Sequence, residues 1–182
     1  MRFRLHYRGP LKPNGKPKHK QKIRSHFHHQ LSDLWRQLPL SGQASELLDT
    51  EYQYNILKKR KDRFYSSVIN EKMNLIAQLD ITLLRPEPPG SVISIGGDID
   101  NRIKTMLDAL TIPREEQVVN VGNAHEEDCT VHCLLEDDHL VTGLNIAVDR
   151  LLGSDDPKEV LVVIHVNVSN TTTTLENLSF AI

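Results

Sequence analysis

The 182-residue chain is long enough for one domain around a single core, and its net charge is only -2. No apolar run approaches the roughly 20 residues needed to span a bilayer. Two cysteines are too few for a disulfide scaffold. The opening MRFRLHYRG alternates where a secretory signal would be continuously apolar, so the expected location is the cytoplasm, with no membrane partner. The near-neutral total conceals a lopsided distribution: residues 1–63 hold 15 Lys/Arg against 5 acids, and residues 64–182 hold 7 against 19. A basic half that attracts a polyanion, paired with an acidic half, suits a protein acting on nucleic acid, although a charge run is more often a solvated face.

Phe3, Leu5 and Tyr7 alternate with Arg2, Arg4, His6 and Arg8, the period-two pattern of a half-buried strand with a cationic outer face. GPLKPNGKPKHK, residues 9–20, has three prolines and no acid, and reads as an extended, mobile basic loop able to close on a phosphate backbone. From Lys20 to Leu38, the residues Ile23, Phe27, Leu31, Leu34, Trp35 and Leu38 fall on one helical face, and Pro39 stops the helix. Lys20, Lys22, Arg24, His28 and Arg36 lie largely off that stripe, within reach of DNA phosphates. His26, His28 and His29 point different ways on a helix, which favours solvated or phosphate-facing histidines over a metal cluster.

Residues 41–46 read as a linker, followed by a less regular helical region with Leu47, Leu48, Ile56, Leu57, Phe64, Val68 and Ile69 as its apolar members. Its basic block KKRKDR presents Lys58, Lys59, Arg60 and Lys61 beside Tyr52, Tyr54, Phe64 and Tyr65, a mixture suited to phosphate contact and base stacking. The alternative is that the tyrosines are core or interface residues. Leu75 to Leu84 alternates again, a second strand that ends at RPEPPG, residues 85–90, with Asp80 on its polar face.

The stretch SIGGDIDNRIKTMLDAL, residues 94–110, combines acids, an amide and a lysine at D-x-D-N-x-x-K spacing. In an extended segment Asp98 and Asp100 project to the same side. Two carboxylates in one small volume invite a shared proton or a cation, and oxygen-rich, thiol-free surroundings favour Mg²⁺, with Mn²⁺ as an alternative. From Asp100 the period turns helical through Ile103, Met106, Leu107 and Leu110, which puts Lys104 one turn from Asp100. The competing account is a turn at Gly96-Gly97 with an aspartate as helix N-cap.

Residues 111–138 hold eight acids and, after Arg114, no base. Within them His125, Cys129, His132 and Cys133 are zinc-capable but crowded into one segment, which favours buried or bystander roles. Leu140 to Asp149 alternates as a third strand just after Glu136-Asp137-Asp138, and Val160 to Val168 as a fourth. Residues 154–157 form a turn between them, and residues 170–182 are a polar tail.

The run from Asp98 to Leu110, with Glu136-Asp137-Asp138 before a strand, resembles the two acidic blocks of the RusA family of Holliday-junction resolvases. The chain departs from that pattern in two longer stretches, 41–70 and an acidic insertion at 111–135. By motif position the resemblance implies that Asp98, Asp100 and Asp138 hold Mg²⁺ and that Lys104 assists catalysis, with Asp137 as the alternative third acid. It further implies that Asn14 and Lys16 contact substrate, that the protein is a homodimer, and that it is an endonuclease acting on branched DNA. Lys18, Lys20, Lys22, Arg24 and the 58–61 block complete the expected nucleic-acid surface. The expected fold is a single α+β domain over residues 1–182: a mixed, largely antiparallel sheet of four or more strands with two or three packed helices. A non-catalytic nucleic-acid-binding protein that retains this fold is the competing expectation.

Overall fold

Strict alternation builds the larger of two sheets. In the computed structural model, which describes residues 1–86, 99–119 and 130–180, strand β1 (Arg2–Pro10) buries Leu5 and Tyr7 and exposes Arg2, Arg4, His6 and Arg8. Strand β4 (Leu75–Arg85) buries Leu75, Ala77, Leu79, Ile81 and Leu83, and β7 (Glu159–Asn170) buries every second residue from Val160 to Val168. With β6 (Val141–Arg150) these strands run in the order β1-β7-β4-β6, antiparallel at the first two pairings and parallel at the last. The expected α+β fold with a mixed, largely antiparallel sheet is therefore the one observed.

Helix α1 (Pro17–Trp35) begins and ends three residues before the expected span, because Pro17 supplies a natural first-turn residue. Its buried stripe is Ile23, Phe27, Leu31 and Trp35, while Leu38, expected on that face, is 81% exposed beyond the helix end. Helix α3 (Ile99–Leu110) buries Ile103, Met106 and Leu110 as its period required. Both helices pack into the main core with the inward faces of β1, β4 and β7.

Residues 41–70 depart from expectation. The helical content there is the end of a 3-10 turn (Leu40–Gly42) and one short turn of α-helix, α2 (Ala44–Leu47), and the basic block folds as a hairpin of β2 (Lys58–Arg60) and β3 (Arg63–Ile69). Strand β3 pairs in parallel with β5 (Thr130–Leu135), which lies inside the expected insertion, to give a second sheet of order β2-β3-β5. Residues 65–69 of β3 and 131–135 of β5 are buried without interruption, so neither strand alternates. No helix among the described residues is long and apolar enough to cross a membrane.

Phe27, fully buried, should cost about 3–5 kcal/mol on substitution by alanine. Leu38→Ala should change stability by less than about 0.5 kcal/mol. Urea unfolding with an unchanged slope is the check, and a large loss at Leu38 would contradict the helix end described here.

Candidate functional site

The loop between β1 and α1 lies against the first half of α3. Gly15 N–H donates to Thr105 Oγ1 at 2.9 Å, and Thr105 Oγ1 in turn donates to the Asn101 carbonyl at 3.0 Å. A Cβ at Gly15 would stand 2.6 Å from Thr105 Cγ2, so glycine is required for this approach. One turn earlier, the guanidinium of Arg102 donates to the Leu11 carbonyl. These bonds hold Asp100 and Lys104, both exposed on α3, beside a loop that carries Lys12, Asn14 and Lys16.

That loop and the start of α1 enclose a cavity of about 400 Å³ lined by Lys12, Asn14, Lys16, Lys18, His19 and Lys22, among others. Among the described residues none of these four lysines meets a carboxylate. Burial, with the charges of Lys12 and Lys22, holds His19 below the usual imidazole range, and its Nε2 accepts the backbone N–H of Lys12 at 3.2 Å. Helix α1 has no acid in its first turn, so the partial positive charge of its N-terminus adds to that of the lysines.

The remaining expected phosphate contacts are differently placed. Arg24 is only 3% exposed, and its guanidinium donates to the Asp108 and Thr111 carbonyls and to Gln21 Oε1. It is a strut between α1 and the end of α3, which corrects the expectation that it faces DNA. Lys20 Nζ pairs with Asp108 Oδ2 at 2.5 Å. In the hairpin, Lys58 pairs with Glu136 at 2.9 Å, Arg60 donates to the Pro113 and Lys59 carbonyls, and Lys61 donates to the Val118 carbonyl. Lys59 is exposed, with its ammonium 6.0 Å from the centre of the Phe64 ring. The turn of this hairpin and Asp138 lie at opposite ends of the small sheet, because β3 begins at the turn and Asp138 follows the end of parallel β5.

Asp98 and the Gly96-Gly97 turn lie outside the described residues, as do His125 and Cys129. Asp100 Oδ1 accepts the N–H of Asn101 at 2.7 Å, so part of its role is to satisfy an N-terminal helix donor. Strand β5 ends beside the exit of α3, where Thr111 bridges Leu135, and the Asp138 carboxyl beyond it is raised chiefly by Asp137 and to a lesser degree by the charge of Asp108. Asp100 lies two turns further along α3, about 12 Å from Asp108. No hydrogen bond or ion pair among the described residues joins Asp138 to Asp100 or Lys104, and no group of three His, Cys, Asp or Glu there has metal-holding geometry.

Asp138 instead belongs to a cluster that the sequence did not reveal. Its carboxyl is raised chiefly by sharing a hydrogen bond with Asp137, while Asp137 is lowered by its bond to His139. His139 lies between two carboxylates, with Nδ1 2.9 Å from Asp137 Oδ1 and Nε2 2.9 Å from Glu71 Oε1. Glu71 is 66 residues away from Asp137 in sequence, and no local signal links them.

Of the three histidines expected to be solvated, His29 is exposed and His26 half-buried, and His28 departs from the expectation. His28 is 1% exposed, not solvated, and its Nδ1 accepts the backbone N–H of His132 at 3.0 Å. The His28 and His132 rings stack at 5.3 Å, and Ser66 Oγ lies 2.7 Å from His132 Nδ1. Cys133 is also buried, which pushes its thiol up to about 11. His132 and Cys133 are thus core residues of the second sheet, as the bystander reading held.

Comparison of the chain with family models, with curated proteins and with solved structures found no match.

Two outcomes follow. Arg24→Ala should destabilise the protein by about 2–4 kcal/mol, because it strips buried carbonyls of charged donors, whereas Lys22→Ala should be near neutral in the same urea titration. The His139 ring should titrate by NMR above the ordinary value of about 6.5, and the midpoint should fall in Asp137→Asn. Since the native value is raised, the pairing stabilises below the unfolded pKa and is lost as pH rises through the native one.

Proposed function

We propose that the chain is a Mg²⁺-dependent endonuclease of the RusA type that hydrolyses phosphodiesters in branched DNA. The observation that supports this most directly is the attachment of the first turns of α3, with Asp100 and Lys104, to a loop whose lysines meet no carboxylate among the described residues. A polyanion seated on Lys12, Lys16, Lys18 and Lys22 would run past the exposed face of α3. Asn14, with φ at 50°, is held in the left-handed region that shapes this loop, and Asn101 braces the start of α3. Lys20 and Arg24 act in this reading by fixing α1 to α3.

The residues proposed to hold Mg²⁺, or Mn²⁺ in its place, are Asp98, Asp100 and Asp138. Such a set offers only carboxylate oxygens, and a carboxyl raised by a neighbouring carboxyl, as Asp138 is by Asp137, is one whose charged form a divalent cation would favour. The bound ion would supply activation of a water and neutralisation of charge on the attacked phosphate. Lys104 would stabilise the same developing charge from the side of α3, and the loop lysines would hold the flanking phosphates and fix register. A homodimer would present two such sites to a two-fold symmetric junction.

The second reading is a nucleic-acid-binding protein without catalysis, favoured by the Asp100 bond to the Asn101 N–H, which a purely structural aspartate would also make. Cleavage of a labelled four-way junction, beside linear duplex and single strand in Mg²⁺ and in Mn²⁺, separates the two. The nuclease account predicts junction-selective cutting that falls by about a hundredfold or more in Asp100→Asn while junction binding persists. Salt-sensitive binding without cutting in either metal would support the non-catalytic reading.

A further inference from the structure

The two edges of the larger sheet are treated differently. At β1 the side chain of Gln30 on α1 closes the edge: its Oε1 accepts the His6 N–H at 3.0 Å and its Nε2 donates to the His6 carbonyl at 2.8 Å. At the other edge, β6 pairs among the described residues with β4 alone. Among the described residues no hydrogen bond reaches the backbone of β6 from the side away from β4, apart from Asp149 Oδ1 taking the N–H of the next residue. Ten residues, Val141–Arg150, form this edge, and none is proline. A long edge with no proline, and with no covering element among the described residues, is a template for a further strand.

The side chains show what kind of strand fits. Leu144, Ile146 and Val148 stand opposite Leu79, Ile81 and Leu83 of β4, on the face that makes the core. Their partners in β4 are at most 1% exposed, yet Leu144 is 44% exposed and Ile146 and Val148 are half-buried. The core face thus continues onto β6, where among the described residues nothing packs over the flank away from β4 and Leu144 stays exposed. The outer face of β6 carries the small or short residues Gly143, Asn145, Ala147 and Asp149.

We infer that β6 pairs antiparallel with β6 of a second copy, joining two four-stranded sheets into one of eight strands. A two-fold axis perpendicular to the sheet keeps inward residues inward, so opposed residues must share a face. With the axis at Ile146, that residue meets its own copy and Leu144 meets Val148, an apolar ladder extending the core across the dimer. Thr142 then faces Arg150, and Gly143 faces Asp149, with no like charges opposed. With the axis at Asn145, Leu144 would meet Ile146, but Val141 would face Asp149, a less favourable pair. The Ile146 register is the self-complementary one. This interface rests on the homodimer in the proposed function only for its purpose, since the observations that carry it are confined to β6.

Sedimentation and light scattering of the full chain at micromolar concentration should give twice the chain mass. Ile146→Lys, which opposes two ammonium groups at the axis, should give the single-chain mass with an unchanged far-UV spectrum. Should that variant unfold, Ile146→Cys decides: mild oxidation should yield a disulfide-linked dimer, because directly opposed strand residues fall within disulfide Cα distances. Thr82→Cys, exposed on β4 away from the axis, should yield none. A single-chain mass for wild type, open-ended filaments, or a dimer that survives Ile146→Lys and does not cross-link at Cys-substituted Ile146 would each overturn the inference. None of these readouts depends on cleavage, so this interface and the nuclease reading can fail separately.

Discussion

The buried guanidinium of Arg24 is the contact on which the candidate site depends. Its donors reach the Asp108 and Thr111 carbonyls, where α3 gives way to the segment beside β5, and so tie α1 to α3 and α3 to the second sheet. A charge so deeply buried is costly unless each donor has an acceptor, which makes the geometry hard to relax. Four residues earlier on α1, Lys20 pairs with Asp108, and at the loop Gly15 meets Thr105. The three contacts run from the loop along α1 on one side and along α3 on the other. They fix α3 at a set height beside the lysine loop, and α3 carries Asp100 and Lys104 to it.

The charge asymmetry seen along the sequence is redistributed in space. Arg8 with Glu159, Lys20 with Asp108, and Lys58 with Glu136 each join the basic first third to the acidic remainder. Arg60 and Lys61 spend donors on backbone carbonyls of residues 113 and 118. Among the described residues, Lys12, Lys16, Lys18 and Lys22 form a cluster without a carboxylate partner. An anion site is thus narrower than the count of basic residues implies, and it coincides with the loop that touches α3.

The four strands of the larger sheet and both long helices were legible because each turns one apolar face toward the core, so period two or period 3.6 survives in the sequence. Strands β3 and β5 were not. Both are covered on two sides, and RFYSSVI and TVHCLL hide their burial behind Ser66, Ser67, His132 and Cys133, whose polar atoms are satisfied or sequestered in the core. Arg24 was misjudged because a basic residue off an apolar stripe ordinarily faces water, and only a neighbouring helix end could reverse that. At the candidate site, the D-x-D-N-x-x-K motif was legible as far as Asp100 and Lys104, which share the exposed side of α3. The Asp137, His139 and Glu71 cluster depends on contacts between distant segments, which no local pattern encodes.

The central claim is that the lysine loop and the first turns of α3 form one surface. Acetylation of surface lysines, read by mass spectrometry with and without a four-way DNA junction in Ca²⁺, tests it directly. Joint protection of Lys12, Lys16, Lys22 and Lys104, with Lys59 left reactive at the far end of the small sheet, is the expected result. Protection of the loop lysines while Lys104 reacts as in the free protein would contradict the claim and detach the acidic motif from nucleic-acid binding.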